Sequence, residues 1–382
     1  MGEVQELQLQ IMVQETKEAN LPVQPSVSDQ PTVQQSSNYA RWIRIAINTF
    51  LVLSGQAAAT LLGRQYYDKG GNSKWMATFV QLSGFPILLP YYCFPAKRNP
   101  NTEIIQTKPP PFFIQASVYV TLGLVIAADC FQYSVGLLYL PVSTYSLICA
   151  SQLAFNSLFS FFLNAQKFTS YIINSLVLLT ISSTLLVFQK DSENTTGVSK
   201  QKYVIGFICT VGASAGNGLV LSLTQLAFTK VFKRQTFKAV MDMIIYPGFI
   251  ASCAILVGLF ASREWMSLRK EMHEYKLGKV SYIMNLVGTA ITWQLFALGS
   301  IGLIFETSSL FSNAISVLGL PIVPVLAVVF FHDKMNGLKV IAFLLAVWGF
   351  VSYVYQHYLD NLKSKNNNRS TNEVSQNSST GS

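Results

Sequence analysis

Asp129 is the one formal charge in the 58 residues that separate Lys108 from Lys167. The stretch is otherwise apolar enough to fill two membrane crossings, each needing about 20 residues. An acid placed there is costly in lipid and is expected to face a polar cavity or a partner. Desolvation penalises the ionised form, so such a carboxyl can take up and release a proton. Two protonation states could then favour two conformations, which is what proton-coupled transport requires. Gln132 and Tyr133 follow Asp129 at helical i+3 and i+4 spacing and share its face.

Other polar side chains recur at helical spacing inside apolar runs. Cys149, Gln152 and Asn156 share one face, and Ser214, Asn217 and Thr224 roughly share another. Asn285, Thr289, Thr292 and Trp293 line up with Gln294 beside them, and Ser309, Ser312, Asn313 and Ser316 cluster near one face. Hydrogen bonding between helices explains the Ser and Thr positions well. The amides Gln152, Asn156, Asn217, Gln294 and Asn313 could also read donors and acceptors on a ligand. Trp293 lies in mid-span, although membrane Trp favours the interfaces. A flat aromatic beside amides suits a flat heteroaromatic ligand, stacked on its face and hydrogen-bonded at its edge.

Ten apolar spans are expected to position these groups, at about 42–62, 75–95, 112–137, 141–163, 169–189, 203–228, 238–260, 279–304, 307–331 and 339–358. The fold class is therefore an all-α membrane protein. Polar tails at 1–40 and 361–382 are expected to be disordered. The segment Arg263–Lys279 mixes charge with Trp265 and Met266 and reads as an interfacial amphipathic helix. An even number of spans puts both termini on one side. Loop Lys and Arg do not say which side, since they number 13 on each.

The halves resemble each other. Ser134–Tyr139 recurs as Ser300–Phe305, 166 residues later, and each copy precedes a Ser-rich helix start. Two five-span repeats, 41–190 and 203–358, would insert in opposite senses because five is odd. Inverted repeats of this kind build secondary transporters with a midplane substrate site.

Composition narrows the function. Apolar residues make up 51% of the chain and charged residues only 12%, about half the share of a soluble domain. The net charge of +9 comes from residues flanking apolar runs, which argues against a nucleic-acid partner. The five cysteines form no CxxC pair, and no metal, nucleophile or phosphate-loop motif is present. A carrier of phosphate esters needs intramembrane cations. Arg64 at the end of the first span is the one candidate. The expected cargo is therefore small, partly aromatic, and neutral or weakly cationic. No cofactor is expected beyond a proton gradient.

The segment Gly136–Asn156 (GLLYLPVSTYSLICASQLAFN) is similar to the plant purine permease family, as are Gln166–Thr169 and Trp348–Tyr353. That family belongs to the drug/metabolite transporter superfamily. The resemblance spans about 41–358 and implies a ten-helix inverted-repeat carrier with cytosolic termini. It implies proton-driven import of adenine-like bases and cytokinins, with alkaloids or pyridoxine-like compounds as alternative cargo. A membrane receptor or scaffold without transport is the rival from another class. The plasma membrane is the expected location, with the vacuolar and endoplasmic reticulum membranes as alternatives. Oligomeric state is left open. Some members carry Glu where this chain has Gln225 and Pro324, so Asp129 is expected to be its principal acid.

Overall fold

The computed structural model describes residues 32–93, 111–165, 200–232 and 237–319, with isolated helical positions between 170 and 181 and between 337 and 359. Every regular element among the described residues is helical. The chain divides into two units, Met1–Ile43 and Arg44–Ser382. The described part of the first is helical from Thr32. All that follows, apart from the start of α1, concerns the second.

Five helices among the described residues are long and apolar enough to cross a membrane. The first is α1 (Thr32–Asp68), whose apolar stretch begins at Ala40. After α2 (Lys74–Leu82) and α3 (Pro90–Cys93) come α4 (Phe112–Tyr139), α5 (Val142–Cys149) and α6 (Gln152–Asn164). Then follow α7 (Lys200–Leu226), α8 (Phe237–Ala261), α9 (Leu268–Glu274), α10 (Gly278–Glu306) and α11 (Ser309–Gly319). The long ones are α1, α4, α7, α8 and α10. The last turns of α7 widen into a π-helix over Ala227–Phe232. The fifth and tenth expected spans fall largely outside the described residues, as do 320–331 of the ninth, Pro324 and the tail from 361.

Two expected spans are broken helices. The second, 75–95, divides into α2, a 3-10 turn at Phe85–Leu88 and α3. Pro86 lies at the start of that turn, where its missing N–H would have been unpaired in any case. The fourth, 141–163, divides at Ala150–Ser151 into α5 and α6. A break frees backbone carbonyls that lipid cannot satisfy, so it must be buried in protein or line a cavity. Here the Ile148 and Ser151 carbonyls accept from the backbone N–H groups of Ser151 and Ala154, each at 3.0 Å, and Ala150 and Ser151 are both buried.

α4 lies along α7 and α8, α6 along α7, and α10 against α2, α8 and α11. The expected amphipathic segment is a 3-10 turn, Glu264–Met266, followed by the short α9. Arg263 enters it with φ 60° and Gly278 leaves it with φ 83°. Trp265 and Met266 are exposed, whereas Glu271 is buried. Glu271 and the apolar Met272 and Tyr275 are docked together against Tyr66, Ala77 and Tyr282, while Trp265 and Met266 face outward.

Candidate functional site

A cavity of about 180 Å³ opens among the long helices. α4 contributes Asp129 and Tyr133, the two residues that i, i+4 spacing puts on one face. Cys149 and Gln152 line it from either side of the α5–α6 break, Asn217 from α7, and Trp293 from α10. Five sequence-selected residues, Asp129, Tyr133, Gln152, Asn217 and Trp293, thus meet in one place.

The other four stand outside the lining. Gln132 is turned toward α7, where its amide oxygen lies against Gly212, and its nitrogen donates to the Ala128 carbonyl at 3.4 Å. Asn156 is fully buried behind the cavity; it accepts from Ser222 Oγ at 2.8 Å and donates to the Ser309 carbonyl at 3.2 Å. Asn313 donates to the Gln152 backbone carbonyl at 3.1 Å and so holds the start of α6. Gln294 is buried against Gly84. One residue along a helix is a rotation of about 100°, so Gln294 faces a neighbouring helix when Trp293 faces the cavity.

Sequence reasoning missed Gln56 and Thr60 on α1, Gln81 on α2, Tyr145 on α5 and Phe296 on α10, all of which line the cavity. Gln56 and Thr60 show the same i, i+4 signal as Asp129 and Tyr133. No charge drew attention to them.

Asp129 is 7% exposed, and its Oδ1 has no hydrogen-bond partner among the described residues. The room for it comes from Gly216, where a Cβ would lie 2.6 Å from that oxygen. At Gly218 a Cβ would lie 2.6 Å from the Asn156 backbone nitrogen. The Gly216-Asn217-Gly218 triplet is therefore a close-packing point. It lets α7 approach α4 and α6 while Asn217 faces the cavity.

Arg64, the one candidate intramembrane cation, is committed elsewhere. It pairs with Asp68 at 2.9 Å and donates to the carbonyls of Leu137 and Leu140 at 3.3 and 3.0 Å. It thereby caps the end of α4, where Pro141 interrupts the chain. Arg44 pairs with Glu306 at 2.6 Å, so Glu306 is an ion-pair partner at the end of α10.

The cavity amides are ordered by a relay. Gln152 Oε1 accepts from Asn217 Nδ2 at 2.6 Å and from the Tyr133 hydroxyl at 3.4 Å. Gln152 Nε2 donates to Ser316 Oγ at 3.4 Å, and Ser316 Oγ donates to Gln56 Oε1 at 2.9 Å. Trp293 meets Phe296 edge to face, with ring centroids 5.4 Å apart. Aromatic faces, amide edges and one acidic oxygen suit a flat nitrogen heterocycle without phosphate. Among the described residues no group of three His, Cys, Asp or Glu is arranged to hold a metal.

Residues 43–363 match a protein family described by purine nucleobase transmembrane transport. Probable purine permease 10 of Arabidopsis thaliana is 62% identical over 368 residues, 95% of this chain and 94% of its own. Purine permease 21 of the same plant is 60% identical over 365 residues, 94% of this chain and 93% of its own. A solved structure described only as a crystal structure of a protein aligns with a TM-score of 0.52 at 15% identity, covering 81% of this chain and 97% of that one. That last likeness concerns the fold alone.

Proposed function

This chain belongs to the purine permease family, and on that premise we propose that it imports adenine-like bases and cytokinins as a proton symporter. Membership supports purine nucleobase transport across a membrane, and the crossing-length helices support an integral membrane protein. The finer reading rests on one observation: Asp129, Gln152, Asn217 and Trp293 share a cavity with no Lys or Arg in its lining among the described residues.

In this reading the purine lies on Trp293, and the amide relay and Asp129 meet its edge. Asp129 carries the coupling proton. An ionised Asp at a membrane helix centre costs about 2.5–3.5 kcal/mol. Protonation removes that cost, so loaded and unloaded carriers differ in which conformation they favour. A flux against a gradient needs that difference.

Alternating access would come from two inverted five-helix repeats around the cavity. The packing supports this reading. α4, the third span, lies against α8, the seventh, and α10, the eighth, lies against α2, the second. A Cβ at Gly55 of α1 would lie 2.7 Å from the Phe296 nitrogen of α10, and Gly206 of α7 is similarly close to Tyr139 of α4. First against eighth thus mirrors sixth against third. The termini are assigned to the cytosol and the protein to the plasma membrane on family resemblance.

The test is uptake of radiolabelled adenine into cells expressing the protein, at acidic and neutral external pH, with and without a protonophore and excess cytokinin. The expected result is faster uptake at acidic pH, collapse with the protonophore and competition by cytokinin. Uptake indifferent to pH and protonophore, with the protein at the surface, would remove the symport mechanism. An alkaloid or vitamin that competes better than any purine would redirect the substrate.

A further inference from the structure

The geometry points to Gln56 as a specificity-determining residue, the hydrogen-bond donor that selects bases presenting a ring acceptor beside an N–H. This rests on the purine reading above and deepens it. The polarity of the relay carries the argument. Gln152 Oε1 receives two donors, from Asn217 and Tyr133. Its nitrogen donates to Ser316, whose single hydroxyl proton goes to Gln56 Oε1. With its oxygen so engaged, Gln56 turns its Nε2 to the other side.

Gln56 is 7% exposed and lines the cavity. Its Nε2 donates to no group among the described residues, in contrast with the donors of Gln152 and Asn217. Asp129 lines the same cavity, and its Oδ1 is an acceptor without a partner among the described residues. Gln152, the amide that spacing selected, is already spent on its neighbours. Gln56 Nε2 on α1 and Asp129 Oδ1 on α4 are therefore a donor and an acceptor left for a ligand. A base with an N–H next to a ring nitrogen, as on the amino edge of adenine, satisfies both. A base without the ring nitrogen leaves the Gln56 amide unpaired, at a loss of about tenfold or more in affinity.

The test uses adenine and its 1-, 3- and 7-deaza analogues, each with one ring nitrogen replaced by CH. They are measured as competitors of adenine uptake and as thermal stabilisers of the purified protein. In the natural protein one analogue should bind about tenfold or more weakly than adenine. Gln56→Leu should lower adenine to the level of that analogue while leaving the analogue's own affinity unchanged. Gln56→Met keeps the length but carries no N–H or O–H, and should do the same if the Leu variant fails to fold. Equal binding of all four bases by the natural protein would overturn the assignment. So would an equal loss for all four in both variants, which would make Gln56 merely structural. Stabilisation by adenine without uptake would sink the transport reading alone, and the binding series would still decide Gln56. No stabilisation by adenine would sink both.

Discussion

Two carboxylates are equally buried in this protein, and only one of them is at rest. Asp129 and Glu271 are each 7% exposed. Glu271, on α9, accepts four hydrogen bonds. They come from the Tyr66 and Tyr282 hydroxyls at 2.5 and 3.0 Å and from the backbone N–H groups of Asn72 and Ser73 at 3.0 and 3.2 Å. Neighbouring Glu264 accepts from Ser73 Oγ at 2.6 Å and from the Trp75 backbone N–H at 3.4 Å. Both acids sit at the start of α2, where the helix dipole favours negative charge. They fasten the α8–α10 connection to the turn after α1. Asp129 has an oxygen with no donor at all among the described residues. A buried acid with every lone pair used is structural. One left short, in a cavity, fits the ligand or proton role proposed for Asp129.

The contrast predicts different failures on substitution. Asp129→Asn should abolish proton-driven accumulation of adenine, by about a hundredfold or more, while the protein reaches the membrane in normal amount. Normal accumulation by that variant would erase the distinction. Glu271→Ala should act on stability first. It strands the Tyr282 hydroxyl and two backbone donors, while Tyr66 keeps the Ser73 carbonyl at 3.3 Å, at about 3 kcal/mol or more in total. A lower melting temperature in detergent, with adenine affinity retained in the surviving fraction, is the signature. Glu271→Gln should lose less, because the amide oxygen still accepts.

Smaller changes sharpen the comparison. Trp293→Ala removes the proposed stacking face but no hydrogen bond, and should raise the KM for adenine about tenfold with pH dependence unaltered. A changed pH profile would tie Trp293 to the proton instead. Arg44→Gln breaks an ion pair whose Arg side chain is 54% exposed. Its effect on melting should stay within about 1 kcal/mol, well below that of Glu271→Ala. A larger loss would mark the Arg44–Glu306 pair as a second fastening of the Glu271 kind.

The lone acid was legible before any coordinates. Charge depletion around Asp129 is a local property, and hydropathy is summed along the chain, so both survive without a fold. The i, i+4 rule joined Asp129 to Tyr133, and both line the cavity. The same rule applied to Gln152 and Asn156 was half useful, because α6 turns Asn156 toward Ser222 and Ser309. Gln225 illustrates a different limit. Its amide oxygen accepts from the Ser309 backbone N–H at 2.9 Å and caps α11. Sequence marked the position without indicating that task.

Residue type and order alone determined that this chain is helical and apolar, that its long helices are of crossing length, and that its interior acid has no cation nearby in sequence. Tertiary structure decided which face of each helix meets the cavity, that α5 and α6 part beside it, and that Gln56 ends a relay running through α7, α6 and α11. It also decided that Glu271, read as part of a surface segment, is buried and fully bonded. The physical reason is the range of the forces involved. Hydrophobicity and helical periodicity act within a turn or two of chain, whereas a hydrogen bond between Gln56 and Ser316 spans 260 residues and exists only once packing has fixed the rotation of both helices.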